Sequence, residues 1–263
     1  MDLLKLVNRQ DYIGYKKNGK KIVMLTAYDA AFAGIMEKSG TIDVILVGDS
    51  LGMVVQGHDS TRQVKLEQMV YHTEMVARAA GAIPIIGDMP FHSFDTPEKA
   101  LENATKLMDA GASGVKIEGN KAGVVKKITG AGIPLMGHLG LLPQTARQFK
   151  VQAKDQTGAD QLIRDAVELQ ESGAIAVVLE CVPRSLARTV SQELDIPTIG
   201  IGAGPDCDGQ VLVLHDMLGL STGHLPKFVK RYSRLHEIIS EALEEYAGEV
   251  REGSFPSDSH SYH

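Results

Sequence analysis

The sequence predicts an α/β fold, a single-domain (β/α)8 TIM barrel, on three observations. Eight short apolar runs occur in order, each ended by Gly or a polar residue. Stretches of helical periodicity separate most of them. No linker-like break divides the chain, whose 263 residues suffice for one substantial core. Continuous apolar strands alternating with amphipathic helices imply a parallel sheet covered by helices, and eight of them imply a closed barrel.

The strands are expected in "IVMLTAYD", "VILVGDS", "IPIIGDMP", "GVKIEG", "IPLMGHLG", "IAVVLECVP", "IPTIGIGAG" and "QVLVLHDMLG". Helical spacing is plainest in "VKLEQMVYHTEMVARAAG", "TPEKALENATKLMDAG" and "GADQLIRDAVELQESGA". The second of these opens with Thr96 as N-cap, Pro97 at the first helical position and Glu98 in the first turn. Gly81, Gly111 and Gly173 stand where left-handed cap residues belong. The connection from Gly204 to Gly209 is too short for a helix, which leaves an open doubly wound sheet as the alternative topology. Residues 1–21 are expected to form an N-terminal helical extension, with the barrel core at about 22–248. Pro226 to about Ala247 reads as a terminal helix, and residues 249–263, being polar, as a disordered tail.

Composition narrows the function. A net charge of −6 and a pI near 5.8 argue against nucleic acid or an anionic membrane surface as main partner. No segment approaches the ~20 apolar residues that span a bilayer, and "MDLLKLVNRQ" does not read as a secretory signal. Cys181 and Cys207 are far apart and outside any Cys-x-x-Cys pair, so a structural zinc site is not expected and a reducing, cytoplasmic setting is.

In a barrel the chemistry collects at the C-terminal ends of the strands. There stand Tyr28 and Asp29, Asp49 and Ser50, Asp88, Lys116 and Glu118, His138, Glu180 and the glycines of "GIGAG". Taken singly, a strand-end Asp is more often a helix N-cap and a lone His a satisfied core residue. That reading weakens when Asp49, Asp88 and Glu118 all close apolar strands, because three anions around one cavity repel unless a cation neutralises them. Carboxylate oxygens with no Cys and few His suit Mg²⁺ rather than zinc. Such an ion would keep positions for water and for a 2-oxo acid, polarise its carbonyl and stabilise an enolate. Lys116 and His138 would assist with anionic oxygens and Ser50 with the substrate carboxylate, leaving Glu180 as a base. The apolar neighbours Val177, Val178, Leu179 and Val182 suit the partial desolvation that would strengthen it. "GIGAG" lacks the full dinucleotide-binding pattern and reads as a tight loop. Cys181 reads as inert, Met53 and Met108 as core filler, and His215 and Asp216 as structural.

"MLTAYD", "VGDSLGMVVQGHDST", "GDMPF", "VKIEG", "MGHLGLLPQ" and "TIGIGAGPDCDGQVLVLHDMLG" resemble the ketopantoate hydroxymethyltransferase family, in order and without a large gap from about Thr26 to Leu220. The resemblance implies an Mg²⁺-dependent barrel enzyme of pantothenate and coenzyme A biosynthesis. It would move a one-carbon unit from 5,10-methylenetetrahydrofolate to 3-methyl-2-oxobutanoate, giving 2-dehydropantoate. It further implies Asp49 and Asp88 at metal and substrate, Ser50, Lys116 and His138 at the substrate, and Glu118 near the metal, with water between the ion and at least one carboxylate. Glu180 takes the role of general base. The family forms large homo-oligomers, commonly decamers; no motif places the folate contacts. Two rivals are another Mg²⁺–enolate barrel, resembling isocitrate lyase or phosphoenolpyruvate mutase, and a non-catalytic scaffold. The first lacks a visible reactive Cys loop here, and the intact carboxylate set speaks against the second.

Overall fold

Each of the eight apolar runs forms a strand in the computed structural model, which describes residues 8–263 apart from 147, 149, 222 and 224. The strands are β1 (Ile22–Thr26), β2 (Val44–Val47), β3 (Ile85–Asp88), β4 (Gly114–Glu118), β5 (Leu135–Gly140), β6 (Ala176–Glu180), β7 (Thr198–Ile201) and β8 (Gly209–Leu212). All pair in parallel in sequence order, and β8 returns to β1 with Ile22 opposite Gly209 and Leu25 opposite Leu212. The barrel is therefore closed, although no helix joins β7 to β8, and the open-sheet alternative is excluded.

The chain divides into two compact units, Met1–Val213 and Leu214–His263, and the barrel closes within the first. That unit also carries α1 (Arg9–Lys17), α2 (Ala30–Ser39), α3 (Leu51–Val54), α4 (Leu66–Ala77), α5 (Pro97–Asp109), α6 (Ala122–Gly130), α7 (Gln156–Glu171) and α8 (Arg184–Glu193). Local chemistry sets several of these boundaries. Thr96 Oγ1 accepts from the Lys99 amide at 3.3 Å with Pro97 at the first position of α5, and Asp155 Oδ1 accepts from Gly158 at 2.8 Å to start α7. After α5, Gly111 turns the chain with φ +101°, and a Cβ there would lie 2.6 Å from that of Ala77. Gly81 and Gly173 are likewise left-handed, as expected.

Met24, Leu46, Ile86, Met136, Val178, Ile199 and Val211 fill the barrel interior, and Tyr12 of α1 joins them. Burying each such aliphatic side chain contributes about 1.5–3 kcal/mol. Lys16 of α1 pairs with Asp208, the residue before β8, at 3.2 Å. The N-terminal extension thus covers the N-terminal ends of the strands and leaves the C-terminal ends for polar side chains.

The second unit departs from expectation. It holds α9 (Leu214–Leu218) and α10 (Leu235–Glu252). The terminal helix starts at Leu235 rather than Pro226, because Lys227, Lys230, Arg231 and Arg234 set four cations ahead of it. The first turn, where the helix dipole favours an anion, instead begins beside Glu237. Nor are residues 249–263 without structure: α10 runs on to Glu252, Gly253 caps it and a 3₁₀ turn forms at Asp258–His260. The Phe255 ring explains this, packing 5.8 Å from Tyr246 and 5.3 Å from His260. Asp216 is structural, accepting from Ser221 Oγ at 2.6 Å. Met53, by contrast, is not core filler but 39% exposed, because the short α3 turns it outward. Among the described residues no helix is long and apolar enough to cross a membrane.

Candidate active site

Strand register assembles the site. Asp88 lies opposite Lys116, Glu118 opposite His138, and Gly140 opposite Glu180. Lys116 and Glu118 are two residues apart on β4 and so share its inner face. Asp49 follows β2 by two residues. Asp49, Asp88, Lys116, Glu118 and His138 are all buried, and the Glu180 side chain is 13% exposed at the edge of the group.

Lys116 Nζ stands 2.7 Å from Asp88 Oδ1 and 3.4 Å from His138 Nδ1. Burial works against the ammonium, but Asp88, Glu118 and Asp49 outweigh it and hold its pKa above the ordinary lysine value. Burial, and Lys116 after it, push His138 the other way, toward the neutral imidazole. An ammonium offers only protons, so the tautomer assigned to His138 leaves Nδ1 as acceptor and puts the hydrogen on Nε2. Nε2 lies 3.2 Å from Glu180 Oε2, and Nδ1 lies 3.7 Å from Glu118 Oε1.

The carboxylates outnumber their cation. Burial and then Asp88 push Asp49 up to about 7; burial and then Asp49 push Glu118 up to about 9. The expected capping role separates two residues with similar local sequence. Asp29 is a helix cap, accepting from the Phe32 amide at 2.9 Å, whereas Asp49 caps nothing. Asp49 Oδ2 instead accepts from Gln144 Nε2 at 2.8 Å, and the Asp49 amide donates to Asp88 Oδ2 at 3.1 Å. Ser50 Oγ is 2.8 Å from the Tyr28 hydroxyl. Sequence reasoning missed Gln144, whose backbone N–H also donates to Glu118 Oε2 at 3.0 Å. Its one signal was its place at the end of "MGHLGLLPQ". Burial and then Glu180 push the Cys181 thiol up to about 11, which works against a thiolate nucleophile there.

Among the described residues no three His, Cys, Asp or Glu side chains form a ready-made metal cage. Asp88 is turned to Lys116, and Asp49 and Glu118 to Gln144. The donor set still fits a hard divalent cation. Mg²⁺ is commonly held by one or two carboxylates and waters, and buried carboxylates forced toward the protonated state gain from a nearby positive charge.

The turn behind the base is tightly specified. Gly140 has φ +94°, and a Cβ there would run into the Glu180 carbonyl oxygen. Gly140→Ala is expected to cost more than about 1 kcal/mol and to displace the end of β6, lowering activity by more than the stability loss explains. Denaturant unfolding and turnover of the same preparation would check this.

Fold and site together define a (β/α)8-barrel protein with a buried lysine–carboxylate centre at the C-terminal ends of its strands. The family described as Ketopantoate hydroxymethyltransferase has a sequence model that matches residues 7–258. A relative from Pelobacter propionicus, named 3-methyl-2-oxobutanoate hydroxymethyltransferase, is 46% identical over 99% of both chains. Another of that name, from Xanthomonas axonopodis pv. citri, is 52% identical over 94% of this chain and 93% of its own. The chain belongs to the ketopantoate hydroxymethyltransferase family and is a transferase enzyme. Among solved structures, phosphonopyruvate hydrolase superposes with a TM-score of 0.65 over 96% of this chain and 92% of its own; at 14% identity it shows the shared barrel and nothing of the chemistry.

Proposed function

We propose that the protein transfers a hydroxymethyl group from 5,10-methylenetetrahydrofolate to 3-methyl-2-oxobutanoate, giving 2-dehydropantoate for pantothenate and coenzyme A biosynthesis. The names of its relatives support the acceptor. The observation that carries the chemistry is Glu180, a carboxylate at the edge of a closed, charged site, with His138 Nε2 3.2 Å from one of its oxygens.

Glu180 takes the proton from C3 of the 2-oxo acid, the branched carbon beside the ketone. His138 Nε2, 3.2 Å from Glu180 Oε2, faces one carboxylate oxygen, and the second is the one that takes the proton. Lys116, kept charged by its neighbours, faces the anionic oxygens of the substrate, and Ser50, oriented by the Tyr28 hydroxyl, meets the substrate carboxylate. Asp49, Asp88 and Glu118 are the residues that would hold Mg²⁺. When bound, the ion supplies positive charge against the enolate oxygen that develops as C3 loses its proton. The carbanion carbon then attacks the folate methylene carbon in its ring-opened iminium form, and water displaces the folate nitrogen from that carbon, supplying the hydroxyl of 2-dehydropantoate and releasing tetrahydrofolate.

The same reading makes this a cytoplasmic homo-oligomer, decameric as the family resemblance implies. Two unbridged thiols support the setting. The apolar face of α10 supports self-association, with Ile238, Leu243, Tyr246 and Val250 all exposed.

Asp49→Ala and Asp88→Ala are each expected to weaken Mg²⁺ and 3-methyl-2-oxobutanoate binding together, because the substrate site includes the ion. Calorimetric titration of both ligands checks this, and wild-type Mg²⁺ affinity in both variants would remove Asp49 and Asp88 as ligands. Proton NMR of the 2-oxo acid with enzyme, Mg²⁺ and the folate, followed for product, tests the reaction itself.

A further inference from the structure

Polar contacts of the site converge on Gln144, which the proposed chemistry does not use. The residue is buried and lies on the loop between β5 and α7. Both hydrogens of its side-chain amide are engaged: Nε2 donates to Asp49 Oδ2 at 2.8 Å and to the Met89 carbonyl at 3.0 Å. A flipped amide would set its oxygen against two acceptors, so this orientation is fixed. Its backbone N–H occupies Glu118 Oε2 at 3.0 Å. One residue therefore takes one oxygen from each of two carboxylates, one following β2 and the other ending β4.

The loop is itself clamped. Arg62 Nε donates to the Gln144 carbonyl at 2.8 Å and Nη2 to the Ala146 carbonyl at 3.2 Å, while the guanidinium lies 5.9 Å from the centre of the Phe91 ring. Residue 144 is thus held from behind by one side chain and holds the carboxylates in front of it.

We propose that Gln144 is a positioning residue that fixes the Asp49 and Glu118 carboxylates for a divalent cation. This rests on the cation reading given above. The choice of side chain follows from charge. A lysine here would neutralise the carboxylates and compete with the ion, and a glutamate would repel them; an amide orients without altering the charge the ion meets. With Oδ2 engaged by Gln144, Asp49 Oδ1 takes no hydrogen bond among the described residues and would be the oxygen left for the ion.

The test uses Mn²⁺ as the probe, its binding to the full chain followed by electron paramagnetic resonance without substrate. Gln144→Met keeps the size of the side chain and removes its donors. It is expected to raise the Mn²⁺ dissociation constant about 10–100-fold, with wild-type circular dichroism. Loss of packing alone would lower the melting temperature without moving that constant. Should Gln144→Met fail to fold, Arg62→Met releases the loop while leaving Gln144 in place, and is expected to weaken Mn²⁺ binding in the same direction. Wild-type Mn²⁺ affinity in the folded variant would overturn the role of Gln144 alone. Failure of the wild-type protein to take up Mn²⁺ would overturn the cation reading and this inference with it.

Discussion

Glu180→Gln is expected to leave binding of Mg²⁺ and 3-methyl-2-oxobutanoate intact while slowing exchange of the C3 proton for deuterium by ~10²–10⁴-fold, the usual contribution of a general base. The substitution preserves size and the neighbourhood of His138 Nε2, so binding losses are small. It removes the one carboxylate of the group that makes no hydrogen bond or ion pair with Lys116 or Gln144 and is therefore open to a substrate proton. Proton NMR in D₂O reads the exchange without the folate, which separates the first proton transfer from the later carbon–carbon bond. Exchange at the wild-type rate would take the base role away from Glu180. Loss of exchange together with loss of Mg²⁺ binding would point instead to collapse of the site.

Lys116→Met is expected to have the largest effect on stability. Its ammonium is buried 2.7 Å from Asp88 and lowers the pKa of both Asp49 and Glu118. Removing one partner of a buried ion pair typically costs about 3–5 kcal/mol, because the other charge stays buried without compensation. The sign of the pH dependence follows. Asp49 and Glu118 already titrate in the folded protein above the unfolded carboxylate range, and without Lys116 they move further up. A raised carboxylate pKa destabilises the fold as pH rises through and above the unfolded value of about 4. The deficit of the variant should therefore be greatest above neutral pH and shrink toward pH 5 as these groups bind protons. Mg²⁺ should recover part of it by restoring positive charge. Urea unfolding across that pH range, with and without Mg²⁺, measures both effects. A deficit independent of pH would reduce Lys116 to a packing role.

Much of the architecture was legible because it is written in short range. An apolar run closed by a polar residue, a Thr–Pro pair opening a helix and a Gly where one ends are decided by neighbours a few residues away. All three readings hold at β3, at Thr96 and at Gly111. Asp88, Lys116, Glu118, His138 and Glu180 could likewise be placed at strand ends, because parallel strands present those ends together. The start of α10 was misread where a run of cations overrode apolar spacing, and the ordered end of the chain where one aromatic ring outweighed a polar composition.

The sequence by itself determined a parallel barrel and the carboxylates, lysine and histidine at its mouth, since periodicity and strand-end position are local properties. The tertiary structure alone decided what each of them does there. "YDA" and "GDS" look alike in sequence, yet Asp29 caps its own helix while Asp49 meets an amide 95 residues away. Gln144, neutral and unremarked in its loop, acquires its role only because barrel closure sets it between two buried carboxylates. Such contacts depend on distances through space, and those are settled only once all eight strands have closed.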